Sequence, residues 1–268
     1  LRKNGYYGVY LNVPTDSDAS LNRIIIENNQ FLGRIWRAIT TEHSYVDIKG
    51  NTITTTNDLT WLTNAGYGKG ITLHHWAGSQ TSINLNSNIM NGTSAGKGFE
   101  YGMIVGHPSV PGMAFSNIVI NGNTVKDGKY GIRIVEDANG VIANNNKILD
   151  NTKSLQNDDG VNTLNAENNY WGLSTGPTTS TVTGNVDFSP FYTNEAMTTS
   201  STAYSVCASG TCNFATIQAA ITAASAGDTI NIGTGTYDVS STVTINKQLT
   251  INGNGRDNTI ISGANNNA

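Results

Sequence analysis

The stretch IVINGNTVKDGKYGIRIVE, residues 118–136, contains both halves of a motif that recurs through most of the chain. Its first half places an asparagine, Asn123, two residues before the apolar Val125. Its second half places a small residue, Gly131, before the alternating apolar residues Ile132 and Ile134. Alternation with a period of two predicts β-strands, because successive side chains of a strand point to opposite faces. The motif therefore predicts two short strands in each repeat.

Each half of the motif recurs five more times. The small residues are Gly8, Ala38, Gly70, Gly102, Gly131 and Gly160. The asparagines are Asn29, Asn51, Asn88, Asn123, Asn146 and Asn169, followed by Phe31, Ile53, Met90, Val125, Ile148 and Trp171. Short strand repeats bury their apolar face by stacking on their neighbours, which brings equivalent residues to about 4.8 Å from one another. The asparagines therefore predict an internal ladder of hydrogen bonds from coil to coil.

The ordered set of half-motifs, between about residues 5 and 172, resembles the right-handed parallel β-helix repeat family, whose members include pectate-lyase-like proteins. The runs ENNYWGLSTGP (167–177) and GNVDFSPFY (184–192) resemble the way many secreted β-helix domains finish. The resemblance implies an all-β, right-handed solenoid, and the hand agrees with the general rule for parallel crossovers. It does not imply one function, because this fold supports enzymes, adhesins and fibre proteins.

A second unit is predicted towards the C-terminus. Phe214, Ile217 and Ile221 fall at helical spacing and Gly227 follows, which predicts a short capping α-helix near residues 214–226. Alternating segments come after it and predict strands. A cap of this kind covers the open end of a solenoid, where backbone groups and core would otherwise be exposed.

The predicted organisation is unusual in its order. Residues 1–193 are interpreted as β-helix coils and their C-terminal exit, 194–205 as a polar linker, and 206–268 as the capping helix plus the first coils of a β-helix. Three arrangements fit this order. The chain is a window from a tandem array, its C-terminal part folds back onto its own N-terminal coils, or that part completes a neighbouring chain. Repetition of the third contact makes an open filament.

Composition restricts the class of protein. Only 13% of the residues are charged, the net charge is -4 and 29 residues are Gly, a balance that favours a β-rich extracellular protein. The lack of a basic cluster argues against a nucleic-acid partner, and no apolar run approaches the roughly 18 residues of a membrane span. Cys207 and Cys212 predict a small disulfide loop in an oxidising compartment. Two free thiols are the alternative.

Three histidines fall five residues after the small residue of consecutive repeats: His43, His75 and His107. A column of imidazoles is a candidate Zn²⁺ or Cu²⁺ site, and the alternative is a stacked turn without metal. The acidic pairs Glu136–Asp137 and Asp158–Asp159 are candidate Ca²⁺ or acid–base groups, and the alternative is ordinary solvated turns. No cofactor is required by any motif.

Aromatic residues form two candidate contact groups. Trp61, Tyr67 and Trp76 lie in or beside inserted stretches, and Tyr6, Tyr7 and Tyr10 lie near the N-terminus. The first group is a candidate carbohydrate surface and the second a candidate interface, while plain packing explains both equally simply. No complete set of catalytic residues is recognisable, so the enzyme question stays open and leans towards a non-enzyme. An enzyme of this kind would be a polysaccharide lyase or a glycoside hydrolase.

The leading functional prediction is a structural extracellular or cell-surface protein, a fibre subunit that stacks head to tail with copies of itself. The alternative is a carbohydrate-binding or polysaccharide-degrading module of a larger secreted protein.

Overall fold

The computed structural model describes residues 7–12, 23–33, 35–55, 68–74, 79–93, 98–110, 112–209 and 212–263. Its described part is almost entirely β, with stacked parallel sheets and one short α-helix. The predicted fold class, an all-β parallel solenoid with a capping helix, is confirmed.

Three parallel sheets form the body of the solenoid: seven coils each contribute one strand to the first and second sheets, and the first five of them also contribute one to the third. The first sheet contains β1 (Tyr7–Leu11), β4 (Arg37–Thr41), β7 (Lys69–Leu73), β10 (Phe99–Val105), β13 (Gly128–Ile134), β16 (Lys153–Asn157) and β18 (Val182–Thr183). The second contains β2 (Ile24–Glu27), β5 (Val46–Lys49), β8 (Ser79–Asn86), β11 (Ala114–Asn121), β14 (Val141–Asn144), β17 (Leu164–Asn165) and β19 (Val186–Asp187). The third contains β3 (Gln30–Gly33), β6 (Thr52–Thr55), β9 (Ile89–Asn91), β12 (Thr124–Lys126) and β15 (Lys147–Leu149).

The interior of the stack is a continuous apolar core. Strands in register place like residues above one another, as in the column of Ile39, Ile71, Met103, Ile132 and Leu155 in the first sheet. All five side chains are fully buried. Burial in columns of this kind stabilises each coil through its two neighbours, which is the energetic pattern of a solenoid.

The small residues of the motif have a steric cause. A Cβ atom placed on Gly70 would lie 2.3 Å from the carbonyl oxygen of Gly102, and one on Gly102 would lie 2.7 Å from that of Gly131. Neighbouring strands of the first sheet therefore lie too close together at this position to accommodate larger side chains.

One predicted copy of the motif is out of register. A Cβ atom on Gly131 would meet the carbonyl oxygen of Ser154 at 2.5 Å, and Tyr130 pairs with Lys153. The next small residue in the column is therefore Ser154, and the prediction that Gly160 occupies this position is wrong. The coil shortens here, and Gly160 lies beyond the strand in the following turn.

A second unit follows the exit of the solenoid. It contains β22 (Ala203–Val206), α1 (Ile217–Ala223), β23 (Thr229–Ile232), β24 (Gly235–Val239), β25 (Thr250–Gly253) and β26 (Thr259–Gly263). The helix begins at Thr216, whose side chain accepts a hydrogen bond from the backbone N–H of Ala219. Strands β22, β23 and β25 form one parallel sheet, and β24 and β26 form another. We call residues 203–263 the C-terminal unit.

The segment expected to be a linker, residues 194–205, contains ordered structure. Strand β20 (Phe191–Tyr192) pairs antiparallel with β21 (Ser200–Ser201), and β22 begins two residues later. The C-terminal unit contacts the exit coil of its own chain through an aromatic cluster of Phe188, Tyr204 and Phe214. These contacts place the unit at the opposite end of the stack from β1, and one apolar core runs through both units.

Candidate functional sites

The six asparagines of the motif form a hydrogen-bonded column between the second and third sheets. In each link, the backbone N–H and the side-chain amide of one asparagine donate to Oδ1 of the asparagine in the next coil. The pair Asn123 and Asn146 has distances of 2.9 and 3.0 Å. The links are Asn29–Asn51, Asn51–Asn88, Asn88–Asn123, Asn123–Asn146 and Asn146–Asn169.

Within the described residues the ladder begins at Asn29, which is exposed, and its other five members are fully buried. Each buried amide also donates to a backbone carbonyl of the preceding coil, such as Asn123 Nδ2 to Leu85 O at 2.7 Å. Buried polar groups are stable only when they are hydrogen-bonded. The ladder meets that condition and fixes the position of the turn in each of the six coils that it joins.

A second column lies on the first sheet, directly before the small residues. It contains Tyr7, Arg37, Lys69, Tyr101, Tyr130 and Lys153 in strand register. We call it the outer column. Apart from Tyr7, its residues are not predicted as site residues from the sequence, although the signal is present as the dipeptides YG, RA, KG, YG, YG and KS in successive repeats.

Lys69 is the most deeply placed cation of the outer column, with 4% of its surface exposed. Its Nζ lies 5.3 Å from the centre of the Tyr101 ring. Among the described residues, no carboxylate pairs with this ammonium group and no oxygen accepts a hydrogen bond from it. Burial, with the nearby charges of Arg37 and Arg133, outweighs Glu100 and lowers the pKa of Lys69 to about 8.

Tyr101 and Tyr130 stack with their ring centres 5.2 Å apart. The guanidinium of Arg133 lies over both rings, at 5.4 and 5.2 Å, and donates to the Tyr101 hydroxyl at 2.8 Å. Arg133 also pairs with Asp158 at 2.7 Å. Burial, reinforced by Glu100, raises the pKa of Tyr101 to about 12. The phenol therefore stays neutral, and the charge of Arg133 is balanced by Asp158.

A row of polar residues follows the end of these strands. The Tyr10 hydroxyl donates to Glu42, and Glu42 Oε1 lies 3.7 Å from His74 Nε2. Glu42 and His74 are buried, and the rings of His74 and His107 are 5.5 Å apart. Burial, then the charges of Lys69 and Arg37, lowers the pKa of His107. The row therefore continues the polar positions of the outer column beyond the ends of the strands.

The structure places the predicted histidine column only in part. His74 lies beside His107, and His75 is outside the described residues. His43 Nδ1 lies 2.6 Å from the carbonyl oxygen of Ser44. No three His, Cys, Asp or Glu side chains within the described ranges are grouped so that they could hold a metal ion. The metal hypothesis for His43, His75 and His107 stays a prediction.

Three of the four carboxylates in the two acidic pairs accept hydrogen bonds from backbone N–H groups. Glu136 accepts from Gly112 at 2.8 Å, and Asp137 accepts from Phe115 at 2.6 Å. Asp158 pairs with Arg133. Burial raises the pKa of Asp159, but hydrogen bonds from Asn162, Val161 and Ala138 outweigh it and lower the pKa to about 2. These carboxylates therefore hold turns and neighbouring coils together.

The remaining predicted residues have mixed outcomes. Trp61, Tyr67, Trp76 and Tyr6 lie outside the described residues, and Tyr7 is described only as a backbone position of β1. Tyr10 is 41% exposed and hydrogen-bonded to Glu42. A disulfide joins Cys207 and Cys212, whose Cα atoms are 5.5 Å apart.

The last coil of the C-terminal unit leaves core positions uncovered. Ile251 pairs in register with the fully buried Ile230, yet 37% of its surface is exposed. Ile261 pairs with Tyr237, which is 5% exposed, yet Ile261 is 54% exposed. Within the described residues, β25 and β26 each have a strand partner on one side only. We call this surface the C-terminal end face.

The other end of the stack is similarly open. Strands β1, β2 and β3 are the first members of their sheets, each paired on one side only among the described strands. Val9 pairs with the fully buried Ile39 but is itself only half-buried. We call this surface the N-terminal end face.

Comparisons with protein families, with curated proteins and with solved structures find no match for this chain. The structure supports a parallel β solenoid. Membership of the pectate-lyase-like family, which the motifs resemble, stays a prediction. Among the described residues, no helix is long and apolar enough to cross a membrane.

Proposed function

We propose that the protein is a structural extracellular subunit that assembles head to tail, the C-terminal end face of one copy stacking on the N-terminal end face of the next. The observation that carries this proposal is the exposure of Ile251 and Ile261 at positions that are core positions one coil earlier. Exposed strand edges next to exposed core side chains favour the addition of another strand layer.

The polarity of the stack favours a second copy as the occupant. A parallel coil that stacks on β25 and β26 must contact them through the edge of its own first strands, the edge to which no earlier coil is paired. The N-terminal end face presents that side, and among the described strands it has an unpaired edge on each of three sheets. Because the two faces differ, the contact is heterologous and generates an open chain of subunits.

Other features agree with an extracellular fibre. The Cys207–Cys212 disulfide suits an oxidising compartment. The low charge, with 13% charged residues, and the length of the stacked core suit a static structural role.

Electron microscopy and sedimentation of the full chain test the proposal. We expect filaments from the wild type and none from Ile261→Lys, because the buried ammonium would lack a partner in the stacked interface. Ile142→Lys is the matched control, because Ile142 is 45% exposed on a strand that is paired on both sides. Filaments should persist in this control.

Mixing two blocked variants makes the test sharper. Val9→Lys blocks one end face and Ile261→Lys the other, so each variant alone should stay monomeric while their mixture forms one-to-one dimers. Wild-type protein that remains monomeric would overturn the proposal. The carbohydrate alternative, whose predicted residues Trp61, Tyr67 and Trp76 lie outside the described ranges, would then be screened with polysaccharides.

A further inference from the structure

One asparagine belongs to a short motif that the repeat of the solenoid does not explain. Asn91-Gly92-Thr93 has the pattern Asn-X-Thr, with X other than Pro, which is the acceptor motif for N-linked glycosylation of secreted proteins. The chain contains 36 Asn, and Ser and Thr together make up 55 of its 268 residues. Chance placement would therefore give about seven Asn-X-Ser/Thr triplets, yet the sequence contains one.

The scarcity of the motif matches the roles of the ladder asparagines. Five of them are fully buried, and each is followed two residues later by an apolar core residue rather than by Ser or Thr. Their side-chain amides already donate to backbone carbonyls of the preceding coil, which leaves no room for an attached sugar. A chain that meets a glycosylating enzyme has to keep the acceptor motif away from such positions.

Asn91 lies on the outside of the solenoid. It is the last residue of β9, in which the fully buried Met90 points into the core, so the side chain of Asn91 points outward. It stands between Thr54 and Lys126 in strand register and is half-buried. Among the residues that the structure describes, no hydrogen bond engages its side-chain amide. A group attached to this amide would therefore displace no internal contact.

The motif stands where the chain leaves the third sheet. The backbone N–H of Gly92 donates to Lys126 O at 3.0 Å, and Thr93 is exposed. The chain rejoins the coil beside this point, because a Cβ atom on Gly98 would lie 2.6 Å from Gly92 Cα and 2.7 Å from Thr93 N. All three residues of the motif are therefore at the surface end of a strand, outside the regular stack.

We propose that Asn91 is a site of N-linked glycosylation. A bond would form between Asn91 Nδ2 and the anomeric carbon of a glycosyl diphosphate donor. The bond from that carbon to the diphosphate would break, the diphosphate would leave with the electron pair, and one amide proton would pass to solvent. The donor and the transferase come from the producing cell. The proposal rests on the extracellular part of the proposed function and not on head-to-tail assembly.

A glycan at Asn91 would lie over the third sheet rather than over either end face. Strand β9 is paired with β6 on one side and with β12 on the other, so the attachment point is within the stack. Ile89, two residues earlier on the same face, is 40% exposed, and a bulky polar group beside it would cover apolar surface. The glycan is therefore compatible with head-to-tail stacking and would oppose contacts between the sides of neighbouring filaments.

Mass spectrometry of the protein isolated from the cells that make it tests the proposal. Trypsin releases residues 70–97 as one peptide, because no Lys or Arg lies between Lys69 and Lys97. We expect this peptide to carry the mass of one or more sugar residues, with fragmentation placing it on Asn91. Deamidation at Asn91-Gly92 replaces only NH by O and is thereby distinguished. A native peptide without sugar would overturn the proposal, and filaments from that same preparation would leave the proposed assembly standing.

Thr93→Ser and Thr93→Val, produced in the same cells, are the matched variants. Serine keeps the hydroxyl that the acceptor motif requires, whereas valine keeps the size of threonine without the hydroxyl. Because Thr93 is exposed, both variants should fold, which circular dichroism checks. We expect the glycan on Thr93→Ser and its complete loss from Thr93→Val. Sugar on Asn91 in both variants would contradict the assigned motif.

Discussion

The side chain of Asn123 completes hydrogen bonds in three successive coils. Its Oδ1 accepts from the backbone N–H of Asn88 at 2.8 Å, and its amide donates to Leu85 O and to Asn146 Oδ1. Asn123→Ala would leave the Asn88 N–H buried without an acceptor. We therefore expect the free energy of unfolding to fall by about 1–3 kcal/mol, measured by urea denaturation.

Asn29→Ala is the control for this prediction, because it removes the same side chain from the exposed end of the same ladder. Asn51 Oδ1 would keep the backbone N–H of residue 29 as a donor, as in the wild type at 3.0 Å. We expect a loss within about 0.5 kcal/mol for the monomeric protein. Equal losses at both positions would show that continuity of the ladder does not matter.

Single residues differ in how well the sequence predicts them. The ladder asparagines could be predicted because each stands two residues before a buried apolar residue. The same spacing therefore recurs in each of the six coils. The histidine column stays a prediction because His75 lies outside the described residues, while the contact of His74 with His107 was not predicted. The burial of Lys69 beside the Tyr101 ring depends on how neighbouring coils pack in three dimensions, and the sequence does not contain that information locally.

Strand β19 places a carboxylate at the boundary between the two units. Burial raises the pKa of Asp187 to about 6, and Glu167 and Asp228 add to the effect while Lys247 opposes it. The folded state therefore holds this proton more tightly than the unfolded chain, in which the pKa is near 3.8. Its contribution to stability is complete below that value and is lost as the pH rises through about 6.

We expect Asp187→Asn to be more stable than the wild type at pH 7, with a difference that shrinks as the pH falls towards 4. The asparagine keeps an oxygen that can accept the hydrogen bond from Ser189 N–H. Thermal unfolding of both proteins between pH 4 and 7 measures the difference. Asp238→Asn, at an exposed carboxylate of β24, should show no such trend. A difference between Asp187→Asn and wild type that does not vary with pH would contradict the assignment.

Elements were predictable where one repeat resembles the next. Strands of the first sheet could be predicted from the small residue, because that residue marks a close approach of neighbouring coils. The prediction failed at Gly160 because the coil there shortens, and a fixed spacing then skips the true position at Ser154. The capping helix is predicted near residues 214–226 and spans Ile217–Ala223. It starts later than predicted because Thr216 caps its N-terminus.

At the scale of the whole molecule, the sequence predicted both units but not how they meet. Periodicity describes contacts between equivalent residues of neighbouring coils, and the junction has no equivalent among the other coils that the structure describes. Its contacts join Phe188 of the exit to Tyr204 and Phe214, and Asn213 Nδ2 donates to Thr175 O at 3.0 Å. A filament built from such subunits transmits force through this junction, so its rigidity bears on the proposed function.

Phe188→Ala tests whether the junction makes the two units one cooperative structure. The Phe188 ring is 5% exposed and lies 5.3 Å from Tyr204 and 5.7 Å from Phe214, so its removal leaves a cavity between the units. We expect one calorimetric transition for the wild type and two for the variant, because the C-terminal unit would then unfold separately. Phe115→Ala removes a similarly buried ring from β11, within the body of the solenoid, and should lower the Tm while keeping a single transition. A single transition in Phe188→Ala would mean that other contacts of the junction, such as those of Asn213, are sufficient to couple the units.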